Sequence, residues 1–226
     1  MDRDGRIAQS WRDNADAWVT SVREGLIASR RAGTDTAVIE AVLDQAPEKV
    51  LDAGCGEGWL THALADRGLQ VTGFDGSAEL IERAREQGGA DYLHMTYEEF
   101  IAEPKQTGGT FDVVVFNFSL FTEDIVPVLN AAKAVLRDGG AVVVQTIHPF
   151  NDAQGEPYVD GWREETFASM SAAFRSTMPW YFRTMRSWLR SVRRAGYEIA
   201  DVREPVDSES GKPLSLIVVG VKRAGS

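Results

Sequence analysis

The stretch Val50-Leu51-Asp52-Ala53-Gly54-Cys55-Gly56-Glu57-Gly58 constrains this chain more than any other, because an apolar run breaks there into alternating glycines just before helical periodicity begins at Trp59. That order predicts a strand, a tight loop and a helix start. Glycines let the backbone turn sharply and leave room for a ligand against the main chain, with amides at the helix start facing it. A phosphate-gripping loop needs Lys and then Ser or Thr after the last glycine, and here Trp59-Leu60-Thr61 follow Gly58. In a Gly-x-Gly-x-x-Gly pattern counted from Gly54, the bulky Trp59 falls where the third glycine is needed for close helix–sheet packing. The spacing present is Asp52-x-Gly54-x-Gly56-x-Gly58.

The β-prone run Leu69–Phe74 stops at Asp75, 23 residues after Asp52. An acid at the end of the second strand can accept both hydroxyls of a ribose, so the pair of stretches suits an adenosine without a pyrophosphate. On these residues the chain resembles the class I S-adenosylmethionine-dependent methyltransferases: Val50 to Gly58 looks like their first motif and Gly73-Phe74-Asp75-Gly76-Ser77 like their second. The resemblance runs from about Lys49 to Lys222 and is nearest the small-molecule branch that includes ubiquinone/menaquinone-biosynthesis-type enzymes.

That resemblance implies S-adenosyl-L-methionine as cofactor, with S-adenosyl-L-homocysteine as product. It also implies an α/β fold: a doubly wound, Rossmann-like, seven-stranded sheet with the last strand antiparallel and helices on both faces, plus an N-terminal helical lid and an aromatic-rich cap insertion. The cofactor-binding residues it points to are Asp52, Ala53, Gly54, Cys55 and Gly56 in the first motif, and Asp75, Gly76 and Ser77 in the second. Thr96 and Tyr97 follow the third strand, Asn117, Phe118 and Ser119 the fourth, and Trp11 and Arg31 come from the N-terminal segment.

With 226 residues, 43% hydrophobic and 26% charged, the chain can bury one substantial core. It reads as a single domain over 1–226, comprising a lid (1–46), a cofactor-binding core (47–147), a cap insertion (148–183), and a final helix with a C-terminal hairpin (184–226). There is no apolar run of membrane-spanning length, and Met1 to Arg6 lack a signal-peptide core, so a cytoplasmic protein is expected. A net charge of −10 argues against nucleic acid as partner, since binding there depends on Lys and Arg. The expected partner is a small-molecule methyl acceptor, and the chain itself a monomer or homodimer. Cys55, the single cysteine, reads as a small filler in the glycine loop, and no metal-ligand spacing appears.

Two helices are expected over residues 7–46, from Trp11, Ala15, Trp18, Val19 and Val22 and then, after Gly33-Thr34-Asp35, from Ile39, Val42 and Leu43. In the family such a segment often folds over the cofactor, with Trp11, Trp18, Arg30 and Arg31 as candidate contacts. Alternatively the tryptophans dock a helix on the sheet. Further on, Ser77 should cap a helix over Ala78–Arg85, Asp91–Met95 form a third strand, and Phe111–Phe116 form a central parallel strand ending at Asn117-Phe118-Ser119. This end lacks both prolines of the Asn-Pro-Pro-Tyr motif of enzymes that methylate nucleobase or amide nitrogens. A helix over Glu123–Arg137 and a strand over Ala141–Ile147 follow.

His148, leaving that strand, is the sharpest acid–base candidate, because its titration range suits proton removal from an acceptor; the alternative is a pocket-lining or strand-capping histidine. Eight of the chain's 21 aromatics fall between His148 and Thr184, a segment suited to wall off an acceptor from water or to glue a helical cap or dimer contact. A helix over Thr184–Ala195, with its arginines as a solvated face, and strands over Tyr197–Arg203 and Leu214–Lys222 finish the chain. The reading is a methyltransferase acting in line on an O, N or C nucleophile. The alternatives are a non-catalytic cofactor-binding protein and an NAD-dependent oxidoreductase, the latter opposed by Trp59.

Overall fold

The computed structural model describes residues 2–152, 155–168, 170 and 172–223. Seven strands form one sheet: β1 (Lys49–Ala53), β2 (Gln70–Asp75), β3 (Asp91–His94), β4 (Phe111–Asn117), β5 (Leu136–Ile147), β8 (Tyr197–Arg203) and β9 (Ser215–Lys222), in the order β3-β2-β1-β4-β5-β9-β8. The first five run parallel, while β9 is antiparallel to both β5 and β8. Strand order reverses between β1 and β4, so a crevice opens at their carboxyl ends, where ligands gather in doubly wound sheets.

Alternation along β4 shows why the sheet is covered twice. Val113 and Val115 face a layer formed by α3 (Asp35–Leu43) and α4 (Trp59–Ala65), through Val38, Val42, Leu60 and Leu64. Val114 and Phe116 face Phe100 of α6 (Tyr97–Ala102), Leu129 of α7 (Val126–Val135) and Trp188 of α9 (Met185–Arg194). Successive strand residues point to opposite faces, so an unbroken apolar strand requires both layers. The polar exception, Asp112, accepts the backbone N–H groups of Glu48 and Lys49 at 2.8 Å each and pairs with Arg137. It ties the beginnings of β1, β4 and β5 together.

Element boundaries differ most from expectation in three places. The first expected helix is two, α1 (Arg3–Asp13) and α2 (Ala15–Arg23), broken at Asn14. Asn14 is buried and uses its amide on distant backbone, accepting from Arg175 N–H and donating to the Ser176 carbonyl. The helix after β4 begins only at Val126, whose N–H is taken by Asp124. β5 starts five residues early, because Leu136 already pairs with Phe111 before a register shift at the Asp138-Gly139-Gly140 turn. The aromatic insertion, to which the sequence assigned no element, holds among its described residues the short α8 (Pro149–Asp152) and an antiparallel pair, β6 (Gly161–Glu165) and β7 (Met178–Phe182). α5 (Ala78–Gln87), capped by Ser77, completes the set.

Candidate active site

The glycine loop is shaped by β2. Gly54 and Cys55 both donate their N–H groups to the Phe74 carbonyl, at 2.8 and 2.9 Å, which folds the loop over the end of the neighbouring strand. Gly54 has φ 75°, and a Cβ there would lie 2.5 Å from the Tyr97 hydroxyl and 2.6 Å from Ser119 Cβ. Both hydroxyls donate to the Ala53 carbonyl, at 3.1 and 3.0 Å. Three strand ends therefore meet around a position where only glycine leaves room. Gly58 (φ 87°), capping α4, is hemmed in likewise: a Cβ would meet the Tyr92 hydroxyl at 2.8 Å and Ala84 Cβ at 2.9 Å.

Asp75 closes the other side. Its Oδ2 accepts Gly56 N–H at 2.9 Å and its Oδ1 accepts Ser77 N–H at 2.8 Å. Burial pushes its pKa up, and the two N–H groups oppose that. Each carboxylate oxygen offers about two lone pairs, so the group holds the loop and still has capacity for two ligand hydroxyls.

Beside it lies a cavity of about 540 Å³. Of the residues singled out in the sequence, Gly54, Asp75, Gly76, Ser77, Thr96, Tyr97, Asn117, Phe118, Ser119 and Trp11 line it. Thr96 caps α6 in a reciprocal box with Glu99, which fixes Tyr97 edge-on to Phe74, ring centroids 5.9 Å apart. Asn117 Oδ1 is buried with no hydrogen-bond partner among the described residues. An orphaned acceptor on a cavity wall is satisfied by a ligand donor.

Asp52, Ala53, Cys55 and Gly56 lie behind this wall rather than in it. Asp52 is fully buried and accepts the Thr61 hydroxyl at 2.7 Å. Burial pushes its pKa up to about 7, with Thr61 pulling it down and Asp75 adding to the rise. It braces the loop against α4. Cys55 packs on Gly73, and burial keeps its thiol protonated. Gly56 contributes through its bond to Asp75.

Side-chain direction takes two of the expected residues away from the cavity wall. Arg31 turns its guanidinium to the Gly25 carbonyl, whereas Arg30 lines the cavity, 4.2 Å above the Trp59 ring and 2.9 Å from Asp35. His148 is buried and lies outside the cavity wall, although Ile147 and Pro149 are part of it. Its Nδ1 accepts Phe150 N–H at 3.3 Å, and its Nε2 lies 2.8 Å from Glu204. Both ring nitrogens are engaged, so the imidazole pins the end of β5 to the segment after β8.

The roof comes from two distant segments. Ile7, Phe167 and Met178 are buried in one cluster with Trp11, Trp18, Phe121 and Trp180. Trp11 stacks on Trp18 at 4.9 Å, Trp18 meets Phe174 edge-on at 5.2 Å, and Tyr181 N–H bonds the Phe121 carbonyl at 2.8 Å. Glu57 and Arg183, not among the residues expected at the site, are both buried and both on the wall. Glu57 Oε2 takes Arg23 and Gln87, leaving Oε1 unpartnered among the described residues. Burial pushes the Arg183 pKa down to about 10, so it is a cation at neutral pH. A charged residue inside a run such as Trp180-Tyr181-Phe182-Arg183 was the available signal.

The cavity thus joins a strand-end half, walled by Gly54 and Asp75, to an aromatic half. Residues 50–140 match a family described as a methyltransferase domain. The ubiquinone biosynthesis O-methyltransferase of Xanthomonas oryzae is 33% identical over 115 residues, covering 49% of this chain and 47% of that protein; the chain spans about half the length of the curated relatives it matches. A putative S-adenosylmethionine-dependent methyltransferase structure from Listeria monocytogenes aligns with TM-score 0.68 at 19% identity, over 88% of this chain and all of that one. Magnesium protoporphyrin IX methyltransferase from Synechocystis, solved with S-adenosylhomocysteine, aligns at 0.67 with 16% identity, over 98% and 100%. Residues 50–140 are thus similar to a methyltransferase domain, and the fold of the chain is one shared with S-adenosylmethionine-dependent methyltransferase structures.

Proposed function

We propose that the chain binds S-adenosylmethionine and transfers its methyl group in line to an O, N or C nucleophile of a small molecule. The observation that carries this reading is the single cavity running from Gly54 and Asp75 to the aromatic roof. The residues fit the cofactor: no Cβ intrudes at Gly54, Asp75 keeps lone pairs for the ribose hydroxyls, and the Asn117 acceptor stands unpaired. Met95, Thr96 and Tyr97 form the wall for the adenine. When bound, the cofactor supplies an electrophilic methyl on a sulfonium.

The protein's part is placement. Ser119 and Tyr97 fix the Ala53 carbonyl and hence the loop, and Trp11, Phe121 and Met178 exclude water. Holding reactants in near-attack geometry supplies on the order of 7–11 kcal/mol. With His148 engaged elsewhere, an acceptor that reaches the site already ionised, or with an unprotonated nucleophile, needs orientation alone. The chain acts as one domain, with 1–46 as lid and 148–183 as cap over the core; it works in the cytoplasm as a monomer or homodimer, and small molecules rather than nucleic acid are its partners. Among the described residues no helix is long and apolar enough to cross a membrane.

Calorimetric titration with S-adenosylhomocysteine, against NAD as control, is the test. Micromolar binding of the first alone is expected, followed by methyl transfer in a screen of phenols, amines and carboxylates. Binding of NAD alone would return the chain to the oxidoreductases. Cofactor binding without turnover of any acceptor would make it a sensor.

A further inference from the structure

Arg183 sits between β7 and the Thr184 cap of α9, only 3% exposed, on the wall of the cavity. Its guanidinium lies 5.1 Å from the Tyr181 ring centroid and 4.9 Å from that of Trp188. Nη2 donates to the Thr122 carbonyl and Nη1 to the Tyr181 carbonyl at 3.4 Å. A guanidinium has five N–H donors, so most of the fork has no protein acceptor among the described residues.

Among the described residues the charge also lacks a contacting anion. Asp160, Asp124 and Glu123 act on it through space, yet none is in ion-pair contact with it. Asp160 accepts from Thr184 and Ser187, Asp124 from Val126 N–H, and Glu123 from the Trp162 indole at 3.1 Å. Arg30, which likewise stacks on a cavity-lining tryptophan, has Asp35 against it. A buried cation without a contacting anion is costly unless a ligand completes it.

We propose that the methyl acceptor is an aromatic carboxylate, its carboxyl group seated on the Arg183 fork and its ring against Phe121 and Trp188. Planar guanidinium and carboxylate match in a bidentate pair. The three through-space carboxylates favour a monoanion over a phosphate dianion, because like charge at short range raises the cost of a second negative charge. This assignment rests on reading the cavity as an acceptor site.

The test follows tryptophan fluorescence as protein saturated with S-adenosylhomocysteine is titrated with benzoate, benzamide or phenyl phosphate. Benzoate should bind at least tenfold more tightly than the other two, about the strength of one charge-assisted bond. Arg183→Gln should bind benzoate and benzamide alike while keeping its affinity for S-adenosylhomocysteine, and Arg183→Lys should keep part of the preference. Equal binding of benzoate and benzamide by the wild type, binding of neither, tighter binding of phenyl phosphate, or full discrimination in Arg183→Gln would overturn the assignment. The wild-type comparison stands even if a variant fails to fold. Absence of S-adenosylhomocysteine binding would count against the methyltransferase reading instead, and the acid–amide comparison on the ligand-free protein would still judge Arg183.

Discussion

The strand-end half of the cavity and its aromatic roof are built from different forces. Around Gly54 and Asp75 the positions are set by backbone hydrogen bonds: two amides on the Phe74 carbonyl, one each on the Asp75 oxygens, and two hydroxyls on the Ala53 carbonyl. Those bonds are directional and weaken steeply as distance and angle depart from the ideal. The roof is held by ring contacts such as Phe167 on Phe174 at 4.4 Å, with Asn14 as its main polar clasp. Aromatic packing tolerates several geometries within about 1 kcal/mol. A fixed cofactor and an adjustable acceptor are what such a division suits.

The largest expected effect would break the rigid half. Asp75→Ala removes the anchor of Gly56 and Ser77 as well as the proposed ribose acceptor, and calorimetry should show S-adenosylhomocysteine affinity falling by roughly 100-fold or more, the scale of two charge-assisted bonds. A change below fivefold would mean that the loop holds itself.

The same half carries a pH signature. The folded pKa of Asp52, about 7, lies above its ordinary 3.8. Between those values the unfolded chain releases a proton that the folded chain retains, so this group's contribution to stability falls as pH rises from about 4 to 7 and then levels off. Asp52→Asn can still accept the Thr61 hydroxyl. It should therefore unfold at higher denaturant than wild type at pH 8, by on the order of 2 kcal/mol, and match wild type near pH 4. Parallel pH profiles would show Asp52 ionised without penalty.

Asn14→Ala sharpens the contrast from the other side. Losing the clasp to Arg175 and Ser176 should cost about 1–2 kcal/mol, and hydrogen exchange should speed in residues 3–23 and 175–182 but not in β1 or β4. Uniform acceleration would mean that roof and core unfold as one unit. The smallest effect is expected at His148→Gln: about 1 kcal/mol of stability, read by thermal unfolding, with turnover within a fewfold of wild type. A 1,000-fold loss of turnover with intact cofactor binding would restore the imidazole as the base.

Much of the strand-end half was legible in the chain because its determinants are local. Gly54 and Asp75 stand at fixed distances from their strand ends, and the period of apolar residues marks those ends. Arg30 and Arg31 show where legibility stops: adjacent residues of one type, whose directions depend on whether Asp35 or the Gly25 carbonyl is in reach. Asn14 reads as an ordinary helix interior until Ser176, 162 positions away, is brought to it.

What the sequence by itself determined is the strand-loop-helix order, the sheet covered on two faces and the acid after the second strand, each written in runs short enough for backbone geometry to enforce. Tertiary structure alone decided that the insertion forms a hairpin sharing a core with α1 and α2, that His148 bonds Glu204 outside the cavity, and that Arg183 is a buried cation on the wall. Those outcomes depend on contacts between segments that sequence distance does not constrain, where burial and partner choice are settled only when the whole chain closes.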